Sequence, residues 1–285
     1  MALVLGIDAA WTTGQPSGVA LLDAAASGAM CLVAAPSYAA FLAQANGLGI
    51  DWQAVQTGGE APLAELLAAS ERLAGRAVDV IAVDMPVSRQ LIAGRRGADQ
   101  AVSREFGGRW CAAHTPNSRR PGPVGERLSA ACLSLGYPVA STATAPATPE
   151  RLLEVYPHPA LLALLQREKR VPYKVSRAAR YWPEATPAQR RAKILAELRA
   201  IAAGLEGELG PLPVAIPSDA DSPARLLKTY EDTLDAVISA WVGWLYLQGE
   251  AVPLGDEHAA IWCPRSVVRQ PGGFIQSCRT VRADF

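Results

Sequence analysis

Cysteine is too sparse and too scattered to organise this chain. Cys31, Cys111, Cys132, Cys263 and Cys278 form no C-x-x-C pair and are odd in number, so neither a disulfide framework nor a thiolate zinc site is indicated. Reduced, mostly buried thiols are expected. Long apolar runs are absent as well. The opening run from Ala2 to Ile7 is broken by Asp8 and is too short for a signal-peptide core, and the most apolar helical stretch, Val237 to Leu247, falls well short of a membrane span. The expectation is a cytoplasmic protein without a membrane partner. No internal repeat or low-complexity linker divides the 285 residues, half of which are hydrophobic. One domain over 1–285 with helical insertions and a large core is therefore expected.

A net charge is also missing: 27 basic residues balance 27 acidic ones, which argues against a generic nucleic-acid binder. The distribution is nevertheless uneven. Between Arg89 and Arg127 there are eight arginines and three acids, and between Gln166 and Lys193 nine Lys or Arg and two acids. The rest of the chain is correspondingly acidic. Basic segments set against an acidic centre suit a metal site that receives a phosphate backbone, and solvated helix faces would give the same tally.

What is present reads as an α/β order. Leu3 to Asp8, Ser17 to Asp23 and Met30 to Ala34 are apolar strands at hairpin spacing, which predicts an antiparallel meander. A helix follows from Pro62 to Ala74, then a continuous apolar strand, Val78 to Val83, that Asp84-Met-Pro86 terminates. An arginine-rich helix is expected over Gln90 to Phe106, an irregular loop over Gly107 to Pro123 and a helix over Val124 to Leu135. A short strand, Arg151 to Tyr156, stops at Pro157-His-Pro159. An amphipathic helix runs from Pro187 to about Ala203. The last helix has Ser222 as its expected N-cap, Pro223 at its first position, an apolar stripe from Leu227 to Leu245, and Gly249 after its end.

Two predicted strands end in an acid where the backbone leaves the sheet, Asp8 and Asp84, and strand ends are where open α/β sheets place ligand chemistry. On the last helix Asp232 and Asp235 lie three apart and so share a face with Lys228 and Ser239, on the flank of the apolar stripe. Carboxylates brought together repel and raise one another's pKa, so such a cluster makes most sense with a cation present. Mg²⁺ or Mn²⁺ prefers carboxylate oxygens, and metals in pairs can clamp both oxygens of a phosphoryl displacement. Taken singly, each acid could equally be a turn cap or a solvated side chain.

The segments Gly6-Ile-Asp8-Ala-Ala-Trp11, Ala82-Val-Asp84-Met-Pro86, Ala98 to Arg104, Leu153-Glu-Val-Tyr-Pro-His158 and Glu231-Asp-Thr-Leu-Asp-Ala236 span nearly the whole chain. Together they resemble a prokaryotic domain-of-unknown-function family of uncharacterised, predicted ribonuclease H-like nucleases. The strand-end acids and the Asp-x-x-Asp-Ala helix also resemble the Holliday-junction resolvase branch of that superfamily, where corresponding carboxylates bind two Mg²⁺ ions. The resemblance implies a ribonuclease H-like α/β fold, with a mixed central sheet whose first three strands are antiparallel and helices on both faces. It further implies Asp8, Asp84, Asp232 and Asp235 as metal ligands, phosphodiester hydrolysis, and nucleic acid as the partner.

Secondary candidates follow from position. Glu154 at a strand end could be a fifth ligand or cap a turn. Arg96, Arg104, Arg119, Lys174 and Arg177 are candidate substrate contacts, although Arg96, Asp99 and Arg104 could equally form intrahelical ion pairs. His114 and His158 read as structural hydrogen-bonding residues in proline-containing loops, and His258 could join a metal site only if a C-terminal strand folds back. Two rival functions stand beside a nuclease. Thr12-Thr-Gly14 after the first strand suggests an ATP-dependent phosphotransferase of the actin and sugar-kinase type, but Ala9, Ala10 and Trp11 replace the glycines a phosphate would need. The other rival is a non-catalytic nucleic-acid-binding protein of the same fold.

Overall fold

The computed structural model describes residues 1–25, 28–214, 216–217 and 222–268; Cys278 lies outside them. Seven strands form one mixed sheet: β1 (Ala2–Asp8), β2 (Gly18–Ala25), β3 (Gly28–Ala35), β4 (Val80–Val83), β5 (Arg151–Val155), β6 (Ala251–Gly255) and β7 (Ala260–Pro264). Their order is β3-β2-β1-β4-β5-β7-β6. The first three strands are antiparallel, as the hairpin spacing predicts, and β1, β4, β5 and β7 run parallel to one another. The carboxyl ends of those four strands therefore open on one edge, and Asp8 and Asp84 lie there.

The helices are α1 (Tyr38–Ala45), α2 (Leu63–Ala74), α3 (Gly97–Phe106), α4 (Pro123–Ser134), α5 (Pro157–Leu164), α6 (Ala178–Tyr181), α7 (Pro187–Leu209) and α8 (Ala224–Leu247). Strand alternation distributes them over both faces of the sheet. Leu3, Leu5 and Ile7 of β1 pack with Phe41, Leu66 and Leu128 from α1, α2 and α4. Val4 of the same strand packs on the other face with residues of α5, α7 and α8. A smaller core joins Ala98, Val102 and Phe106 of α3 to Ile261 and Cys263 of β7.

Helix α8 runs along the sheet because two glycines admit it. A Cβ on Gly6 would come within 2.2 Å of the Ala236 carbonyl oxygen, and one on Gly18 within 2.2 Å of that of Asp232. Asp8 pairs with Gly18 across the first hairpin, so the two contacts bring the helix backbone against the strand end that carries Asp8.

Several boundaries differ from the sequence expectations. The arginine-rich helix starts at Gly97 instead of Gln90, because Arg96 caps it: the Arg96 amide donates to Asp99 Oδ2 at 2.8 Å. Pro157 does stop β5, but Pro157 and Pro159 occupy the first turn of α5, where a missing N–H costs nothing. Helix α7 continues past Ala203 to Leu209, and α8 begins at Ala224 with Pro223, not Ser222, as its N-cap. Helix α1 and the β6–β7 hairpin carry no strong periodic signal.

Candidate metal centre

Asp8 ends β1, Asp84 follows β4, and Asp235 lies on α8. Each offers a carboxylate oxygen within 4.8 Å of the others. The Asp84 amide donates to the Ile7 carbonyl at 2.9 Å, which ties the two strand ends together. Asp8 and Asp84 are half-buried, and their carboxylates have no hydrogen-bond or ion-pair partner among the described residues. Burial raises the Asp8 carboxyl well above its ordinary range, and Asp232 and Asp235 raise it further. Burial pushes Asp84 up to about 7, against the pull of Lys174.

Asp235 is different, being fully buried and already bonded. The Tyr173 hydroxyl donates to its Oδ1 at 2.6 Å, and the Lys174 ammonium pairs with its Oδ2. Lys174 also reaches Glu231 at 3.3 Å. Glu231 in turn accepts from Lys228 at 2.9 Å and from the Val175 amide at 2.7 Å. Lys228 also pairs with Asp232. The aspartate face of α8 is thus not on a half-solvated flank, as the apolar stripe suggests. Both Asp232 and Asp235 are buried, and two lysines supply the positive charge that makes their burial tolerable.

Asp8, Asp84 and Asp235 fit a hard divalent cation: three carboxylates from three elements converge, two of them unpartnered. Asp232 does not join that group. It pairs with Lys228, and its charge still raises the Asp8 carboxyl.

Glu154 is turned elsewhere. It accepts from Arg96 at 2.5 and 2.6 Å and from the Val87 amide at 3.0 Å. Arg96 also donates to Asp99 at 2.7 Å. This buried Glu154–Arg96–Asp99 unit fastens the segment before α3 to β5, so the ion-pair alternative describes Arg96 and Asp99. Arg104 and Arg119 are exposed and do not line the cavity above the carboxylates.

That cavity, of about 620 Å³, has Asp8, Asp84, Glu231 and Asp232 among its lining residues. Lys174 and Arg177 line it as well, together with Arg120, Arg170 and Arg225. Trp11 also lines it, its ring tilted at 53° against that of His114 with centroids 5.4 Å apart and the Arg120 guanidinium 5.8 Å from its ring. His258 contacts Gln90 and Glu257 instead and does not line the cavity. Sequence reasoning missed Glu231, although it sits directly before Asp232 in the quoted motif; it also missed Tyr173, Arg120, Arg170 and Arg225. The basic run Gln166 to Lys193 was the available signal for Arg170.

Among the described residues no helix is long and apolar enough to cross a membrane. No curated protein and no solved structure matches the chain. A family model described as protein of unknown function (DUF429) matches residues 6–259. The matched stretch includes all the carboxylates of the centre, and the chain belongs to that family.

Proposed function

We propose that the protein is a divalent-metal-dependent phosphodiester hydrolase acting on nucleic acid, a single ribonuclease H-like domain working in the cytoplasm. The convergence of the Asp8, Asp84 and Asp235 carboxylates at one point carries this reading. The sheet order supports the fold assignment, with its first three strands antiparallel, the next two parallel to β1, and helices on both faces.

Asp8, Asp84 and Asp235 would hold Mg²⁺ or Mn²⁺, and Asp232 would join through a small shift away from Lys228. Such a cation polarises a phosphoryl oxygen and lowers the pKa of water, which supplies a nucleophile at neutral pH. The chain's own residues do the rest. Asp8 and Asp84, free of internal partners, are available to a ligand without first breaking an ion pair. Tyr173 and Lys174 hold Asp235 in one orientation from both oxygens, which fixes the helix-borne carboxylate before any substrate arrives. Lys174 also reaches Glu231, so its single positive charge offsets part of the negative charge on the α8 side of the cluster and leaves the rest to a bound cation. Cationic groups on the cavity wall would receive the phosphate backbone.

Single-stranded, duplex and branched DNA and RNA, incubated with Mg²⁺ or Mn²⁺, test the proposal. Cleavage of at least one substrate is expected, abolished by chelator and reduced at least about a hundredfold in Asp8→Asn and Asp84→Asn. Absence of metal-dependent cleavage across the panel, or equal cleavage by the variants, would refute it.

A further inference from the structure

Six of the nine basic residues between Gln166 and Lys193 fall into two groups. Lys169 lies 4.8 Å over the Trp110 ring and Lys193 5.6 Å over that of Trp182. Arg190 donates to the carbonyls of Trp182 and Pro183, and Lys174 is engaged with Asp235 and Glu231. These groups are occupied in holding the fold. Arg170 and Arg177 are not: both line the cavity, and neither side chain has a hydrogen bond or ion pair among the described residues. The Nε of Arg170 is buried without any partner.

His158 stands beside them on the same cavity wall, only 3 % exposed. Its ring is held edge-on between Tyr156 and Tyr173, at 5.1 and 5.5 Å, and its Nδ1 is buried without a partner. A buried polar atom left unpaired is costly, and this one lies beside two arginines that have no ion-pair partner among the described residues. Burial, with the nearby charges of Arg170, Lys174 and Arg177, holds the imidazole below its usual range, so the ring is neutral and offers one N–H.

We propose that Arg170, Arg177 and His158 form a phosphate subsite on the cavity wall, distinct from the carboxylate cluster, which holds a phosphate flanking the scissile one. Two guanidinium groups favour phosphate geometry, since each presents paired N–H donors to two oxygens. A cavity of about 620 Å³ is of small-ligand size, which fits a nucleotide-sized stretch of single strand entering it better than a duplex. The subsite rests on the phosphodiester reading for its role. Its occupation by phosphate can be measured without any metal.

The test is a titration of metal-free protein, with chelator present, by inorganic phosphate, followed by ³¹P NMR line broadening. Arg177→Ala removes an exposed side chain and should leave the melting temperature unchanged; Arg170→Gln keeps the stem and a donor. Wild type should bind saturably, the Arg170→Gln/Arg177→Ala double variant at least tenfold more weakly, and Asp8→Asn at least as tightly as wild type, because it removes a nearby negative charge. The double variant should keep the full Mn²⁺-dependent rise in melting temperature. A folded double variant that binds phosphate as wild type does, or wild type that shows no saturable binding, overturns the subsite. Loss of the Mn²⁺ response in wild type would instead count against the carboxylate centre alone.

Discussion

Lys174 is the residue on which the buried charge of α8 most depends. It faces Asp235, which is fully buried, and Glu231, which is nearly so. Removing one partner of a buried pair leaves the other charge uncompensated, at about 3–5 kcal/mol. Lys174→Met should therefore destabilise the metal-free protein by roughly that amount. A cation at the carboxylates should recover part of it, so the Mn²⁺-induced rise in melting temperature should be larger in Lys174→Met than in wild type; an equal or smaller rise would show that Lys174 and the cation do not share Asp235. Arg96 makes the opposite case. Its partners Glu154 and Asp99 lie in a structural unit, so Arg96→Ala should cost a similar 3–5 kcal/mol in urea denaturation with no Mn²⁺ recovery. At this scale the sequence was legible only in part. The four aspartates stand out because two end strands and two share a helix face. The roles of Glu154 and Lys174 depend on which opposite charge lies across the fold, Arg96 or Asp235, and no local pattern encodes that pairing.

The element that decides the geometry of the centre is α8 lying directly on β1 and β2. Gly6 and Gly18 make that approach, each with a helix carbonyl where a Cβ would stand. Gly6→Ala should overpack the contact, costing about 1–3 kcal/mol, and should weaken Mn²⁺ binding by moving α8 away from Asp8. Thermal melts and Mn²⁺ titration together check this; a variant as stable as wild type, with unchanged Mn²⁺ affinity, would show that the contact does not set the site. The elements themselves were readable where period and punctuation agreed, as in the first three strands, α2, α4 and the body of α8. They were misread where one signal had two meanings. Pro157 and Pro159 end a strand and also begin a helix. The apolar stripe of α8 placed the aspartates on its flank, but the segment carrying Tyr173, Lys174 and Val175 bonds to Asp235 and Glu231 there, a tertiary fact beyond the reach of periodicity.

At the level of the whole molecule, the unpaired carboxylates work against the metal-free fold. A carboxyl whose pKa is raised by folding binds its proton more tightly folded than unfolded, so its contribution favours the fold at low pH and is lost as pH rises through the folded value. For Asp84, raised to about 7, that window runs from about 4 to about 7. Wild type should therefore lose stability relative to Asp84→Asn as pH is raised from 5 to 8 without metal, a difference that other titrating groups such as His158 share and so cancel. A flat difference across that range would contradict the raised pKa. The central claim is that Asp8, Asp84 and Asp235 form a cation site whose mutual repulsion the cation relieves. Its most direct test is the melting temperature of wild type and Asp8→Asn, each with and without Mn²⁺. The account predicts that Mn²⁺ raises the wild-type value and leaves Asp8→Asn unmoved, while metal-free Asp8→Asn melts at or above wild type. No Mn²⁺ effect on wild type, or an Asp8→Asn protein that is unfolded, would contradict it.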